Sequence, residues 1–166
     1  MPDDLVAILI EDDRWQGMIE REAPVACAAV LRHLGLPADR FEISLLACDD
    51  ARIAALNADF RGKARATNVL SWPSEERAAA TPGAAPDLPD RETDEPQELG
   101  DIAIAWETCT GEAEAAGKPL PQHVRHLLVH ATLHLLGYDH EDDADAALME
   151  EVETRILVSL GDPDPY

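Results

Sequence analysis

The sequence predicts an α+β or mixed α/β fold built as one domain, and three observations carry that prediction. Four short apolar segments of strand length, 5–10, 41–47, 67–72 and 100–105, are interleaved with longer segments of helical period. The chain has 166 residues, 46% of them hydrophobic, which suits one domain with a real core. No apolar run reaches the ~18 residues of a membrane-spanning helix.

Each element has its own local reason. Residues 5–10, L-V-A-I-L-I, read as a buried strand that Asp12 and Asp13 end. Residues 16–34 read as a helix with Val25 and Ala29 on its apolar side. Pro24 predicts that its regular part starts near that residue or is kinked there. His33 closes it, where a cation suits the helix dipole. Residues 41–47 alternate as a strand, and Asp49 or Asp50 can cap a helix reaching Phe60, with Ile53, Leu56 and Phe60 on one side. Residues 61–65, R-G-K-A-R, follow as a basic loop, and 67–72 as a short strand closed by Pro73. Residues 74–98 are rich in Ala, Pro, Asp and Glu and poor in apolar residues, so they are expected to form a long mobile loop inside the domain. A strand over 100–105 leads into a helix over 106–116. Pro121 sits in the first turn of a helix over 121–136, whose core face is Val124, Leu127, Leu128 and Ala131. A last helix over 142–160 turns Ala146, Met149, Val152, Ile156 and Leu160 inward, and the tail over 161–166 is expected to fray.

Charge and cysteine usage narrow the class. The net charge of −21 argues against non-specific nucleic-acid binding. The charge is uneven, however. Nine acidic residues lie between Glu75 and Asp101 against only Arg77 and Arg91, whereas Arg61, Lys63 and Arg65 fall together with no acid among them. Cys27, Cys48 and Cys109 are odd in number and widely spaced, which fits a reducing, cytoplasmic setting. The acidic start of the chain lacks the basic region of a signal peptide.

The most informative segment is 130–140, H-A-T-L-H-L-L-G-Y-D-H. His130 and His134 are four apart, so on a helix they share one face. Gly137 lets the helix stop and the chain reverse, so that His140 returns to the same point. Three neutral imidazoles then converge on one divalent metal with a fourth position open, the arrangement of a catalytic zinc. Metzincin proteases share this spacing but place a Glu after the first histidine as general base. Here that position is Ala131, so the metal geometry is kept and the peptidase base is absent. His126, one turn earlier, could be a fourth ligand, but the pattern is complete without it and a supporting or structural role is expected. Asp139 can orient a ligand imidazole, act as a base or simply make the turn, and His123 is expected to be exposed.

Three separated segments carry a resemblance. Residues 56–73 read L-N-A-D-F-R-G-K-A-R-A-T-N-V-L-S-W-P, residues 99–104 read L-G-D-I-A-I, and residues 126–140 read H-L-L-V-H-A-T-L-H-L-L-G-Y-D-H. In content, order and total length they closely resemble the YbeY family of bacterial endoribonucleases, also called rRNA maturation factors. The resemblance implies an α+β domain with a small mixed sheet of about four strands packed against helices. It also implies a histidine-bound metal, usually zinc, on a helix and the turn after it. The activity implied is single-strand-specific RNA cleavage, serving 3′-end maturation of small-subunit rRNA and ribosome quality control. Position by position, the implied metal ligands are His130, His134 and His140, and the implied functional arginine is Arg61. Lys63 and Arg65 could hold the RNA backbone. Two positions depart from the family pattern: Ala131 stands for a common glycine, and Trp72 stands for phenylalanine in the S-F-P segment. Trp72 could stack a base or serve the core, and Thr67 and Asn68 could touch RNA or pin a strand edge.

The leading expectation is therefore a metal-dependent endoribonuclease, with Zn2+ as cofactor, single-stranded RNA or rRNA as substrate, and no membrane partner. A second expectation is a non-enzymatic, metal-stabilised ribosome-assembly factor. Its acidic surface would meet ribosomal particles through a basic ribosomal protein or an assembly GTPase. A metalloprotease is the third reading, and Ala131 argues against it.

Overall fold

In the strand Phe41–Cys48, buried side chains recur at every second position and so mark the two faces of one sheet, while its neighbour, Gln97–Ala105, is buried on both faces over most of its length. The computed structural model describes residues 5–62, 64–77, 79, 81–86, 88, 89 and 96–166, and the side chains of Phe60 and Arg61 lie outside the description. Among the described residues the order is β1 (Val6–Ile10), α1 (Met18–His33), β2 (Phe41–Cys48), α2 (Asp50–Arg61), β3 (Val69–Pro73), β4 (Gln97–Ala105), α3 (Trp106–Ala116), α4 (Leu120–Leu135) and α5 (Asp143–Ser159). Short 3-10 turns precede α1 and β2. The fold is α+β, as expected.

The sheet order is β1-β2-β4-β3. The first three strands of that order are parallel, and β3 runs antiparallel to β4 at the edge, so the sheet is mixed. Pro73 is tolerated because β3 is an edge strand. Between β2 and β4 the register skips a residue: Glu42 faces Glu98 but Ile43 faces Gly100. Gly100 has φ +143°, and a Cβ there would stand 2.2 Å from the Trp72 carbonyl oxygen, so this bulge requires glycine.

The inner face, with Val6, Ile43, Leu45, Ala47, Ile102 and Ile104, packs against α1, α4 and α5 in the main core. Helix α4 lies at its centre, with Val124, Leu128, Val129, Ala131, Leu133 and Leu135 all buried. A helix apolar around most of its circumference belongs inside a core. The outer face carries a smaller cluster, in which Ile53 of α2 covers Cys48, Leu70, Ala103 and Ala105. All three cysteines are buried and free.

Several boundaries differ from expectation. Helix α1 begins at Met18, six residues before Pro24, because the Glu20 carboxylate accepts a hydrogen bond from the Gly17 amide at 2.8 Å and caps its first turn. Its buried side is Ile19, Ala23, Ala26, Cys27 and Val30, while Val25 is 46% exposed. Helix α2 is capped by the Asp49 carboxylate and runs through Arg61, so Arg61 ends a helix and does not open a loop. The acidic loop stops before β4, which begins at Gln97. Its described part also packs on the body of the domain: Arg77 and Pro86 are buried, and the Arg77 guanidinium donates to the Leu135 carbonyl. Residues 161–166, expected to fray, are tied to α4 and α5 through Asp162 and Tyr166.

Candidate metal centre

Helix α4 starts at Leu120 with Pro121 in its first turn and presents His126, His130 and His134 at four-residue intervals along one side. Its end follows from backbone hydrogen bonding. The Gly137 amide donates to the His134 carbonyl at 3.1 Å, and the Tyr138 amide donates to the Leu133 carbonyl at 3.0 Å. That pair is a Schellman cap, and Gly137 supplies its left-handed residue at φ +100°. A side chain at 137 would also collide with the loop, since a Cβ would lie 2.6 Å from the Arg77 carbonyl oxygen. The reversal carries the chain through the buried Tyr138 to Asp139, whose carboxylate accepts a hydrogen bond from the His140 amide at 2.7 Å.

The turn brings His140 back to the helix. One ring nitrogen from each of His130, His134 and His140 lies within 4.8 Å of the other two. The ring centroids are 5.2 to 5.4 Å apart. His130 and His134 are half-buried and His140 is exposed, so the cluster is held by the core and open to solvent on one side. Three imidazoles of this kind fit one borderline divalent ion with an open coordination position. Ala131 is buried in the core beneath them, so alanine fits where the family pattern commonly has glycine.

The cluster opens into a cleft of about 400 Å³, walled by Asn68, Val69 and Ser71 on one side and Asp139 and Glu141 on the other. Asn68 pins the start of β3: its amide donates to Glu112 at 3.0 Å, and its side-chain oxygen accepts from the Val69 amide. Ser71 lines the cleft, whereas Trp72, next in the strand, packs on the sheet's outer face. His123 is not exposed as expected. It is turned toward α3, where Nε2 lies 3.0 Å from Glu112.

Behind the cleft stands a group the sequence reading missed. Glu153 of α5 is fully buried and meets His130 Nδ1, His126 Nε2 at 3.4 Å and the Tyr166 hydroxyl. Burial alone would raise this carboxyl, but the contacts from His126, His130 and Tyr166 outweigh it and hold it at about 2. The signal was present in the sequence, because Glu153 falls on the buried side of α5 between Met149 and Ile156. Tyr166, in a short Pro- and Asp-rich segment, offered no such signal.

Of the remaining expected site residues, Arg61 lies at the end of α2 with its side chain outside the description, and Lys63 lies outside the described residues. Arg65 is exposed, and its carbonyl accepts from the Asn57 amide at 3.0 Å.

Residues 10–161 match the family described as Endoribonuclease YbeY. The chain belongs to that family. A YbeY relative from Jannaschia sp. is 57% identical over 97% of this chain and 99% of its own length. One from Ruegeria pomeroyi is 56% identical over 96% of each chain. A solution structure from Thermotoga maritima superposes with a TM-score of 0.56 at 18% identity, over 97% of this chain and 98% of that one, and so shares the fold. The YbeY match contains the histidine turn, the 56–73 segment and Glu153, so it spans every element that builds the cleft except Tyr166. No helix among the described residues is long and apolar enough to cross a membrane.

Proposed function

We propose that this protein is a metal-dependent endoribonuclease that cuts single-stranded RNA, acting in the cytoplasm in 3′-end maturation of small-subunit rRNA and in ribosome quality control. The observation that carries the reading is the convergence of His130, His134 and His140 at an open cleft, in a chain whose close relatives are named endoribonucleases. These histidines would hold one divalent ion, for which Zn2+ suits the all-nitrogen donor set. Such an ion supplies Lewis acidity toward a phosphodiester oxygen and lowers the pKa of a coordinated water.

The chain's own residues do the rest. Three neutral imidazoles add no negative charge as ligands, so a bound divalent ion would keep its full charge and favour a phosphate oxygen over a neutral carbonyl. Arg61 would bring a second cation to the charge that develops on the phosphate. Lys63 and Arg65 would hold the RNA backbone. Asp139 holds the turn that places His140. With Ala131 where a peptidase has its Glu, nothing at that position can serve as a proteolytic base.

The test is cleavage of a defined single-stranded rRNA fragment by purified protein, with the end chemistry of the products determined. His130→Ala and Arg61→Ala should each suppress cutting. Undiminished cleavage by both variants would assign the activity to a contaminant.

A second reading, compatible with the first, draws on the outer face of the sheet. A groove of about 790 Å³ there is lined by apolar Leu9 and Trp72 and by acidic Glu11, Glu98 and Asp101. That surface suits a basic ribosomal protein presented on a ribosomal particle. Co-sedimentation with such particles that survives loss of the histidines would support it.

A further inference from the structure

Glu153 is a fully buried carboxylate that the reaction described above does not use. Its placement is specific. It lies on the core side of α5, directly behind His130, and meets Nδ1 of that ring. A neutral imidazole that donates from Nδ1 carries its free lone pair on Nε2, the nitrogen left to face the cleft.

The carboxylate does not stand alone. Its second oxygen is shared by His126 Nε2 at 3.4 Å and by the Tyr166 hydroxyl. Tyr166 reaches this point by a built path. After α5 the Gly161 amide donates to the Val158 carbonyl and the Asp162 amide to the Leu157 carbonyl, both at 3.0 Å, which turns the chain back. Asp162 is then gripped by both forks of the Arg125 guanidinium, at 2.6 and 2.7 Å, and Arg125 also reaches Glu22 of α1 at 2.8 Å. Bidentate pairs of this kind fix direction as well as distance. Arg125 precedes His126 on α4, so one helix both anchors the returning segment and supplies the histidines it serves. The Tyr166 ring, 60% exposed, packs edge-on against His126 at 5.7 Å and lines the cleft, while its hydroxyl reaches the buried carboxylate.

We propose that Glu153, held in place by Tyr166, is a positioning residue of the metal site: it fixes the tautomer and ring direction of His130 so that Nε2 faces the ion. The segment after α5 is thereby part of the active site. This rests on the metal reading above and extends it from the three imidazoles to the groups that aim one of them.

The experiment measures Co2+ and Zn2+ affinity of the full chain by competition with a chromophoric chelator, for the wild type, Glu153→Gln and Tyr166→Phe. Thermal unfolding of each metal-free protein is recorded alongside, and long-range proton–nitrogen spectra of the metal-free wild type report the His130 tautomer. Glu153→Gln should weaken binding by roughly 10- to 100-fold, the usual cost of removing such a partner. Tyr166→Phe should weaken it severalfold while the metal-free melting temperature stays at the wild-type value, because the ring is largely exposed. His130 should carry its proton on Nδ1. Wild-type affinity in both variants, a proton on Nε2, or an affinity loss that only tracks the unfolded fraction would overturn the proposal. Absence of metal binding by the wild type would overturn the metal reading and this inference with it. Normal wild-type binding with unaffected variants would overturn this inference alone.

Discussion

On the inner face of the sheet, Val6, Ile43, Leu45, Ile102 and Ile104 are all buried beneath α1, α4 and α5. On the outer face, α2 covers one end and leaves Leu9 63% exposed beside Glu11, Glu98 and Asp101. The difference separates two tasks. A site that must aim three imidazoles at one point needs a helix locked on several sides, and α4 has that support. A surface that receives a partner needs apolar and charged groups left in water. Substitutions on the inner side should then disturb metal and cleavage, and those lining the outer groove, away from Arg61 at the end of α2, should disturb neither.

The largest effect should come from the ion itself. Chelation, or His130→Ala, should reduce RNA cleavage on the order of 100-fold or more, since Lewis-acid stabilisation is worth several kcal/mol. The same treatment should lower the melting temperature, because an ion at 100 times its Kd stabilises the folded state by about 2.7 kcal/mol. An equal loss of cleavage in Leu9→Ser would break the division between the two faces.

Packing comes next. Leu128→Ala, at a side chain 0% exposed in the middle of α4, should cost about 2–5 kcal/mol in urea unfolding. Gly137→Ala should cost about 1–3 kcal/mol, because φ is +100° there and the Arg77 carbonyl blocks a Cβ. Its metal affinity should fall as well, since the turn it distorts is the one that returns His140. A stability loss with unchanged metal affinity would show that the turn is only scaffold.

The inner side was also the easier one to read from sequence. Four-residue spacing and a following glycine placed His130, His134 and His140 together, and helix α3 was legible to the residue. Periodicity speaks for the apolar face of one element at a time, however, and the misses involve polar contacts, either a local cap or a bond between elements. Pro24 seemed to mark either the start of the regular helix or a kink, but Glu20 caps the Gly17 amide and the helix already runs from Met18 with Pro24 inside it. The segment after Pro73 seemed too polar to pack, yet Arg77 is buried through hydrogen bonding to the end of α4 and not through apolar area. Glu153 was hidden for a related reason: a carboxylate on a buried helix face has meaning only once its partners, His126 and Tyr166, are known. Arg61 was placed by resemblance alone, since a basic cluster by itself does not distinguish a catalytic arginine from a solvated one.

The smallest effects belong to the outer face, and their signs make them useful. Leu9→Ser removes an exposed side chain and should change stability by less than about 0.5 kcal/mol. Arg52 pairs with Glu11 at 3.2 Å and is half-exposed, so Arg52→Ala should likewise cost under about 1 kcal/mol. Both should cleave RNA at the wild-type rate. Their effects on ribosomal co-sedimentation should diverge. Leu9→Ser removes an apolar anchor and should weaken it, whereas Arg52→Ala frees Glu11 and makes the groove more acidic, which should strengthen attraction of a basic partner at low salt. Opposite shifts that converge as salt rises would assign partner binding to the outer face, and identical behaviour of the two variants would remove that role from the groove.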